Sequence, residues 1–288
     1  MFDNTSPFET IDAVTGQSLQ RTKGRARCTF KVRDGKTVLD TLGQSGSFKV
    51  RLPKIPGGGI PEAVLLNTAG GLTGGDRLSF EGGVAPQGHA IMTSQASERA
   101  YRSVSGPAKV HVDLHIGEGG RLDWLPQETI LFDGAQLART FDVDLAENAT
   151  LLAHETVVFG RTAMGESIHE GHFSDHWQVR RGGRLVHADA LRIDGDIQAA
   201  LQAKAALSGA TTMASILYVA DDAETRDAAL KDIADGISPA DGIAGVSAWH
   251  GKLVIRAVAF GGQAMRRIIT PLLHNLMDGR ELPRVWSI

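Results

Sequence analysis

Between Gly24 and Leu201, apolar and polar positions alternate with a period of two, and glycine-containing turns interrupt the alternation at intervals of roughly ten residues. Lys109 to Ile116 illustrates it: Val110, Val112, Leu114 and Ile116 share one side, and Lys109, His111, Asp113 and His115 the other, before Gly117-Glu118-Gly119-Gly120 turns the chain. The same reading predicts strands over 142–145, 150–158, 173–179 and 184–188. Their separators are Glu147-Asn148, residues 160–165 and Arg181-Gly182-Gly183. Taken as successive hairpins, they predict a large, mainly antiparallel β structure. The last third differs. Residues 211–220 are strand-like, and Asp221 with Glu224 three residues on resembles a capping box opening a helix to about Asp235. Residues 246–249 and 253–260 predict a hairpin around Gly251. In a second helix over 263–278, Met265, Ile268, Ile269, Leu272, Leu273, Leu276 and Met277 form one apolar face; Gly279 is placed to cap it and Pro271 to kink it. With no linker, low-complexity tract or convincing internal repeat, the pattern predicts one continuous domain.

Composition narrows the class. Of 288 residues, 42% are hydrophobic, enough for a sizeable core, and the 34 glycines suit many strands joined by tight turns. A net charge of −3 with scattered basic residues leaves no electrostatic footprint for nucleic acid or an anionic membrane. The start, MFDNTSPFET, lacks the basic and apolar regions of a secretory signal, no run reaches the length of a membrane span, and Cys28 has no partner for a disulfide. The expected location is the cytoplasm, with Cys28 a small buried hydrophobe.

The densest local signal is LLNTAGGLTGGD, from Leu65 to Asp76. It is no P-loop, because Gly75 is followed by Asp76 where a phosphate cradle needs Lys and Ser or Thr. It resembles the signature of the urease accessory protein UreD (UreH) family, in Asn67-Thr68-Ala69-Gly70-Gly71 and Gly74-Gly75-Asp76. Further blocks follow in order: WLPQETILFDG from Trp124, with Pro126; Phe159-Gly160-Arg161-Thr162-Ala163-Met164-Gly165-Glu166; and the closing Pro283-Arg284-Val285-Trp286. The resemblance covers about Gly24 to the C-terminus, leaving 1–23 as a separate segment before a single domain over 24–288. It departs from the family at Arg99-Ala100, where Lys-Val is the expected pair.

Three sets of residues carry candidate chemistry. His169, His172 and His176 lie with Glu170 and Asp175 in one stretch, but the second histidine of a zincin helix motif would come one residue later, and Gly171 with the strand-like residues after it disfavours a helix. An exposed strand and turn accounts for them, with a weak metal site as the alternative. His111 and His115, with Asp113, share a strand face that solvent accounts for and that could also bind nickel or zinc weakly. The acids Asp76, Glu98, Glu128, Asp133, Glu155 and Glu166 lie in or near the family-like blocks, among shape-fixing residues. Each has an ordinary explanation as a turn cap or salt-bridged surface group. Together they suggest an oxygen-lined path whose weak contacts would let a hydrated divalent ion enter and leave. No serine sits in a nucleophile elbow and no histidine lies close to Cys28 in the sequence, so no catalytic residue is expected.

The resemblance implies a mainly β fold wound in helix-like fashion with two α-helices, and a scaffold without enzymatic activity. Its implied partners are the urease apoprotein, a UreF-type helical accessory protein and, through the complex, a UreG-type GTPase. No cofactor is held tightly and nickel is transient cargo. Helix 263–278 is a candidate for part of the UreF-facing surface, its stripe being equally explained as core. Two rival readings are a metal-dependent hydrolase using His169, His172 and His176, and a structural β protein without a metal role.

Overall fold

A computed structural model describes residues 21–55, 59–160, 168–204 and 206–287. Seventeen strands dominate those residues. In chain order they are β1 (Lys23–Arg33), β2 (Lys36–Gly46), β3 (Phe48–Arg51), β4 (Glu62–Asn67), β5 (Arg77–Val84), β6 (His89–Ser94), β7 (Glu98–Ala100), β8 (Ala108–Ile116), β9 (Arg121–Leu125), β10 (Thr129–Leu131), β11 (Gln136–Leu145), β12 (Thr150–Phe159), β13 (Glu170–Arg181), β14 (Arg184–Asp196), β15 (Thr212–Val219), β16 (Gly242–Trp249) and β17 (Lys252–Ala259). Three α-helices join them: α1 (Ile197–Gln202), α2 (Asp227–Asp235) and α3 (Gly262–Leu276).

The mainly β, helix-like winding and the two C-terminal helices match the expectation; the pairing of the central strands differs. From β4 onward the chain crosses from one sheet to the other, so β5, β8, β11 and β13 lie side by side in parallel in the first sheet, and β4, β6, β9 and β12 in parallel in the second. Antiparallel pairs flank them at β1–β2, β13–β14, β3–β4 and β12–β15–β17–β16. The cause is the turns. Ala85–Gly88, Gly117–Gly120 and Ala146–Ala149 do not fold a strand back beside itself. They carry it over to the facing sheet, and they stack on one another through Gln87 N–H to Glu118 O at 2.8 Å and Gly119 N–H to the Asn148 side chain at 2.8 Å. Each circuit of the chain is one coil of a β-solenoid, and that coil is the internal repeat the sequence did not reveal.

Two apolar cores result. One fills the space between the sheets and includes a row of aromatic rings, with centroid distances of 6.2 Å for Phe48–Phe80, 5.7 Å for Phe80–Trp124, 5.9 Å for Trp124–Phe141 and 4.8 Å for Phe141–Trp177. The other lies between the outer face of the second sheet and the helices. It takes the whole apolar stripe of α3, from Met265 to Met277, so that stripe is core and not a partner-facing surface. Gly279, at φ 76°, closes α3 by donating to His274 O at 2.9 Å, as expected, while the helix runs through Pro271. The β16–β17 hairpin turns at His250 and Gly251, both at positive φ. The capping expectation at Asp221 fails: Asp221 pairs with Arg181 at 2.6 Å, a short 3₁₀ turn over 223–226 precedes α2, and Glu224 instead accepts from Gly251 N–H.

Candidate functional site

Residues of the first two family-like blocks, with Gly160 of the third, meet along one side of successive coils. Asn67 Nδ2 donates to both carboxylate oxygens of Glu98 at 3.2 Å, 31 residues on. The same 31-residue step joins Ser97 Oγ to Glu128 at 2.7 Å, Tyr101 O–H to Gly70 O at 3.3 Å, Arg102 to Asp133, and Trp124 Nε1 to Glu155 at 3.0 Å. Tyr101 also stacks on Phe132 at 5.1 Å, and Gly160 N–H continues the ladder to Leu131 O at 2.8 Å. Two glycines are required by close approach. A Cβ on Gly71, at φ 151°, would lie 2.3 Å from the Tyr101 ring, and one on Gly74 would lie 1.8 Å from Ser103 Oγ.

Beneath this corner a cavity of about 320 Å³ enters the space between the sheets. Exposed Gln95, Ala96 and Arg99 line its outer end, and Phe48, Leu78, Val112 and Phe141 its apolar walls. Its polar lining includes Glu98, Thr129, Glu155, Arg139 and Asp175. Arg139 Nη1 donates to Glu155 Oε2 at 2.8 Å and to Thr129 Oγ1 at 3.0 Å, and Nη2 donates to Asp175 Oδ2 at 2.5 Å. The three side chains of this triad are only 9, 13 and 12% exposed for Arg139, Glu155 and Asp175.

The electrostatics follow from that burial. Desolvation pushes the Glu98 carboxyl up to about 7, against the opposing hydrogen bond from Asn67. Burial also raises Glu155, with Arg139 pulling the other way. For Arg139, burial disfavours the charge, but the Asp175 and Glu155 carboxylates outweigh it and its pKa rises above the ordinary arginine value. The guanidinium stays charged.

The remaining expected residues are dispersed. Asp76 is buried, accepting from Thr22 N–H at 2.7 Å and Thr73 N–H at 2.8 Å, and it closes a loop outside the cavity lining. Glu128 faces α3 through Arg266 at 3.4 Å. Asp133 pairs with Arg102 and accepts the amides of His169 and Glu170, the first of which chiefly holds its carboxyl below the usual range. Arg161, Gly165 and Glu166 lie outside the described residues. Of the five acids among the described residues, therefore, Glu98 and Glu155 line the cavity.

The histidines do not converge. His172 pairs with Asp194 at 3.2 Å, His111 bonds Thr140 at 2.6 Å, and His115 lies 3.4 Å from Asp113. His111 and His176 occupy one row with Thr140 between them. That puts their backbones about two strand spacings, or roughly 10 Å, apart. Among the described residues no group of three or more His, Cys, Asp or Glu side chains is arranged to hold a metal. Cys28 is fully buried, and burial pushes its thiol up to about 12, so no reactive thiolate forms.

Arg139 and Asp175 were missed in the sequence, although a signal was present. Arg139 interrupts the inward phase Leu137, Phe141, Val143 of β11; Asp175 interrupts Phe173, Trp177, Val179 of β13; Glu155 interrupts Leu151, Ala153, Val157, Phe159 of β12. A charge where alternation demands an apolar residue marks an interior polar site. Register then puts Arg139 directly beside Asp175.

The class of fold is a β-solenoid with a charged interior cavity under a corner built from sequence motifs. The family model described as UreD urease accessory protein matches residues 22–287, and the chain belongs to that family. It is 43% identical over 269 residues to a urease accessory protein UreD of Rhizobium rhizogenes (strain K84 / ATCC BAA-868), covering 93% of this chain and 96% of the relative. It is 44% identical over 284 residues to one from Dinoroseobacter shibae (strain DSM 16493 / NCIMB 14021 / DFL 12), covering 98% and 97%.

Proposed function

We propose that this chain is a non-enzymatic scaffold of urease maturation in the cytoplasm, binding the urease apoprotein together with a UreF-type helical protein and, through it, a UreG-type GTPase, and that nickel passes through its interior cavity. Family membership supports the role in urease maturation. The observation that carries the passage reading is the cavity itself, which runs from the motif corner down to a buried pair of carboxylates. Oxygen donors such as Glu98, Glu155 and Asp175 suit a hydrated divalent cation held briefly. In a confined space of low effective dielectric, their charges act far more strongly than they would on an open surface. Among the described acids of the earlier set the reading rests on Glu98 and Glu155, with Asp175 added. Cargo handed over without release requires a partner over the mouth, and exposed Tyr101, beside Gly70 there, is suited to that contact. The test is co-expression with the urease cluster. The tagged chain should co-purify with apo-urease and the helical partner, and urease from cells lacking it should carry little nickel. Full nickel loading without the chain would sink the reading.

A further inference from the structure

The cavity does not end at the triad. Behind Arg139, Glu155 and Asp175 lies a second, small cavity of about 20 Å³, room for roughly one water. Its far wall is formed by Asp189, Ser215 and Arg256. Arg256, an exposed residue, bonds to both Asp189 and Ser215. The same three charged side chains therefore form the floor of one cavity and the wall of the next. Arg139 is held there incompletely. It is 8% exposed, its Nε is buried with no hydrogen-bond partner among the described residues, and its guanidinium lies 5.2 Å over the Phe173 ring. With no protein partner at Nε, the guanidinium is tied to the protein by hydrogen bonds through its Nη atoms alone.

We propose that Arg139 is the gate of the interior passage: its guanidinium occupies the place a divalent cation takes between Glu155 and Asp175, and must swing into the larger cavity to let the ion through. This rests on the passage reading above. Charge explains the design. Two carboxylates match one divalent ion, so with the arginine absent they would form a trap. With it present, the ion binds only by displacing a permanent cation, and the returning guanidinium expels it. Arginine cannot yield by losing its proton at physiological pH, so the gate works by movement. A purely structural ion triad has a different signature: removing the arginine would weaken the fold and leave the nickel content of urease unchanged in whatever complex survives.

The full-length chain, alone and co-expressed with the urease cluster, tests this with nickel chloride as the probe. Arg139→Gln should retain nickel in equilibrium dialysis at concentrations where the parent and Arg139→Lys retain none. It should also lower the nickel content of co-expressed urease by about tenfold or more, as cargo is held back. The double variant Arg139→Gln with Asp175→Asn removes trap and gate together and avoids two uncompensated buried charges. It should retain no nickel and load urease better than Arg139→Gln alone, though below the parent because a passage carboxylate is lost. The gate is overturned if Arg139→Gln folds, joins the complex and neither retains nickel nor slows loading. It is equally overturned if the double variant blocks loading as severely as the single one, or if Arg139→Gln proves insoluble and the double variant fails to load urease. Failure of the passage itself reads differently: Glu98→Gln and Glu155→Gln would then load urease fully whatever Arg139 does.

Discussion

At the scale of single residues, the informative positions are those that contradict their surroundings. Arg139, Asp175 and Glu155 each sit on the inward phase of a strand whose other inward positions are apolar. That contradiction was legible in the sequence; the meeting of the three was not, because β12 belongs to the opposite sheet and only the winding brings it over. Glu98 adds a pH prediction. Its carboxyl titrates near 7 in the fold, against an ordinary value of 4.5, so the folded state holds a proton that the unfolded chain has released. Stability therefore falls as pH rises from about 4.5 to 7, by up to about 3 kcal/mol for this group alone. Glu98→Gln removes that dependence. Denaturant titrations should find it more stable than the parent at pH 8 and nearly equal at pH 5, and an equal gap at both would refute the shifted carboxyl.

At the scale of elements, strand positions, the C-terminal hairpin and the α3 cap were readable because each is written locally, in alternation, in a two-residue turn and in a glycine after an apolar stripe. The function of the closing Pro283–Trp286 block was not, because its partners are remote. Trp286 donates to Leu125 O at 3.0 Å and packs on His154 at 5.3 Å, while Arg266 of α3 donates to Trp286 O at 3.0 Å. The block pins α3 to the second sheet. Trp286→Ala should cost about 3–5 kcal/mol in urea unfolding, and a loss below about 1 kcal/mol would mean the block is only a surface tail. The glycine corner gives a graded series. Alanine at Gly71 or Gly74 drives a Cβ into Tyr101 or Ser103, whereas alanine at Gly75, at positive φ like Gly71, meets Arg21 no closer than 3.0 Å. Unfolding free energies should fall most for the first two, by amounts on the order of 1–3 kcal/mol. A Gly75 variant as damaged as both would remove the close-approach argument.

At the scale of the whole molecule, a solenoid and a stack of hairpins present the same alternation and the same turns. What separates them is whether a turn returns the chain to its own sheet or to the facing one, and that is settled by contacts about thirty residues apart, such as Asn67 with Glu98 and Trp124 with Glu155. The winding also sorts the motif acids into two populations with opposite expected behaviour. Glu98 and Glu155 line the interior, while Asp76 and Glu128 tie loops and α3 together from outside the main cavity. The pair Glu98→Gln with Glu155→Gln nearly preserves volume and removes interior charge. It should keep the complex intact and lower urease nickel, with excess nickel in the medium partly restoring it. The pair Asp76→Asn with Glu128→Gln removes an acceptor of two backbone amides and a partner of Arg266. It should lower stability, by about 1–3 kcal/mol for the buried Asp76 site, and with it the melting point and soluble yield, yet leave nickel per urease in the surviving complex at the parental level. Metal analysis of purified urease beside a pull-down separates the two. A nickel deficit in the second pair with a normal melting point would return those acids to the passage, and full loading in the first would remove the interior carboxylates from it.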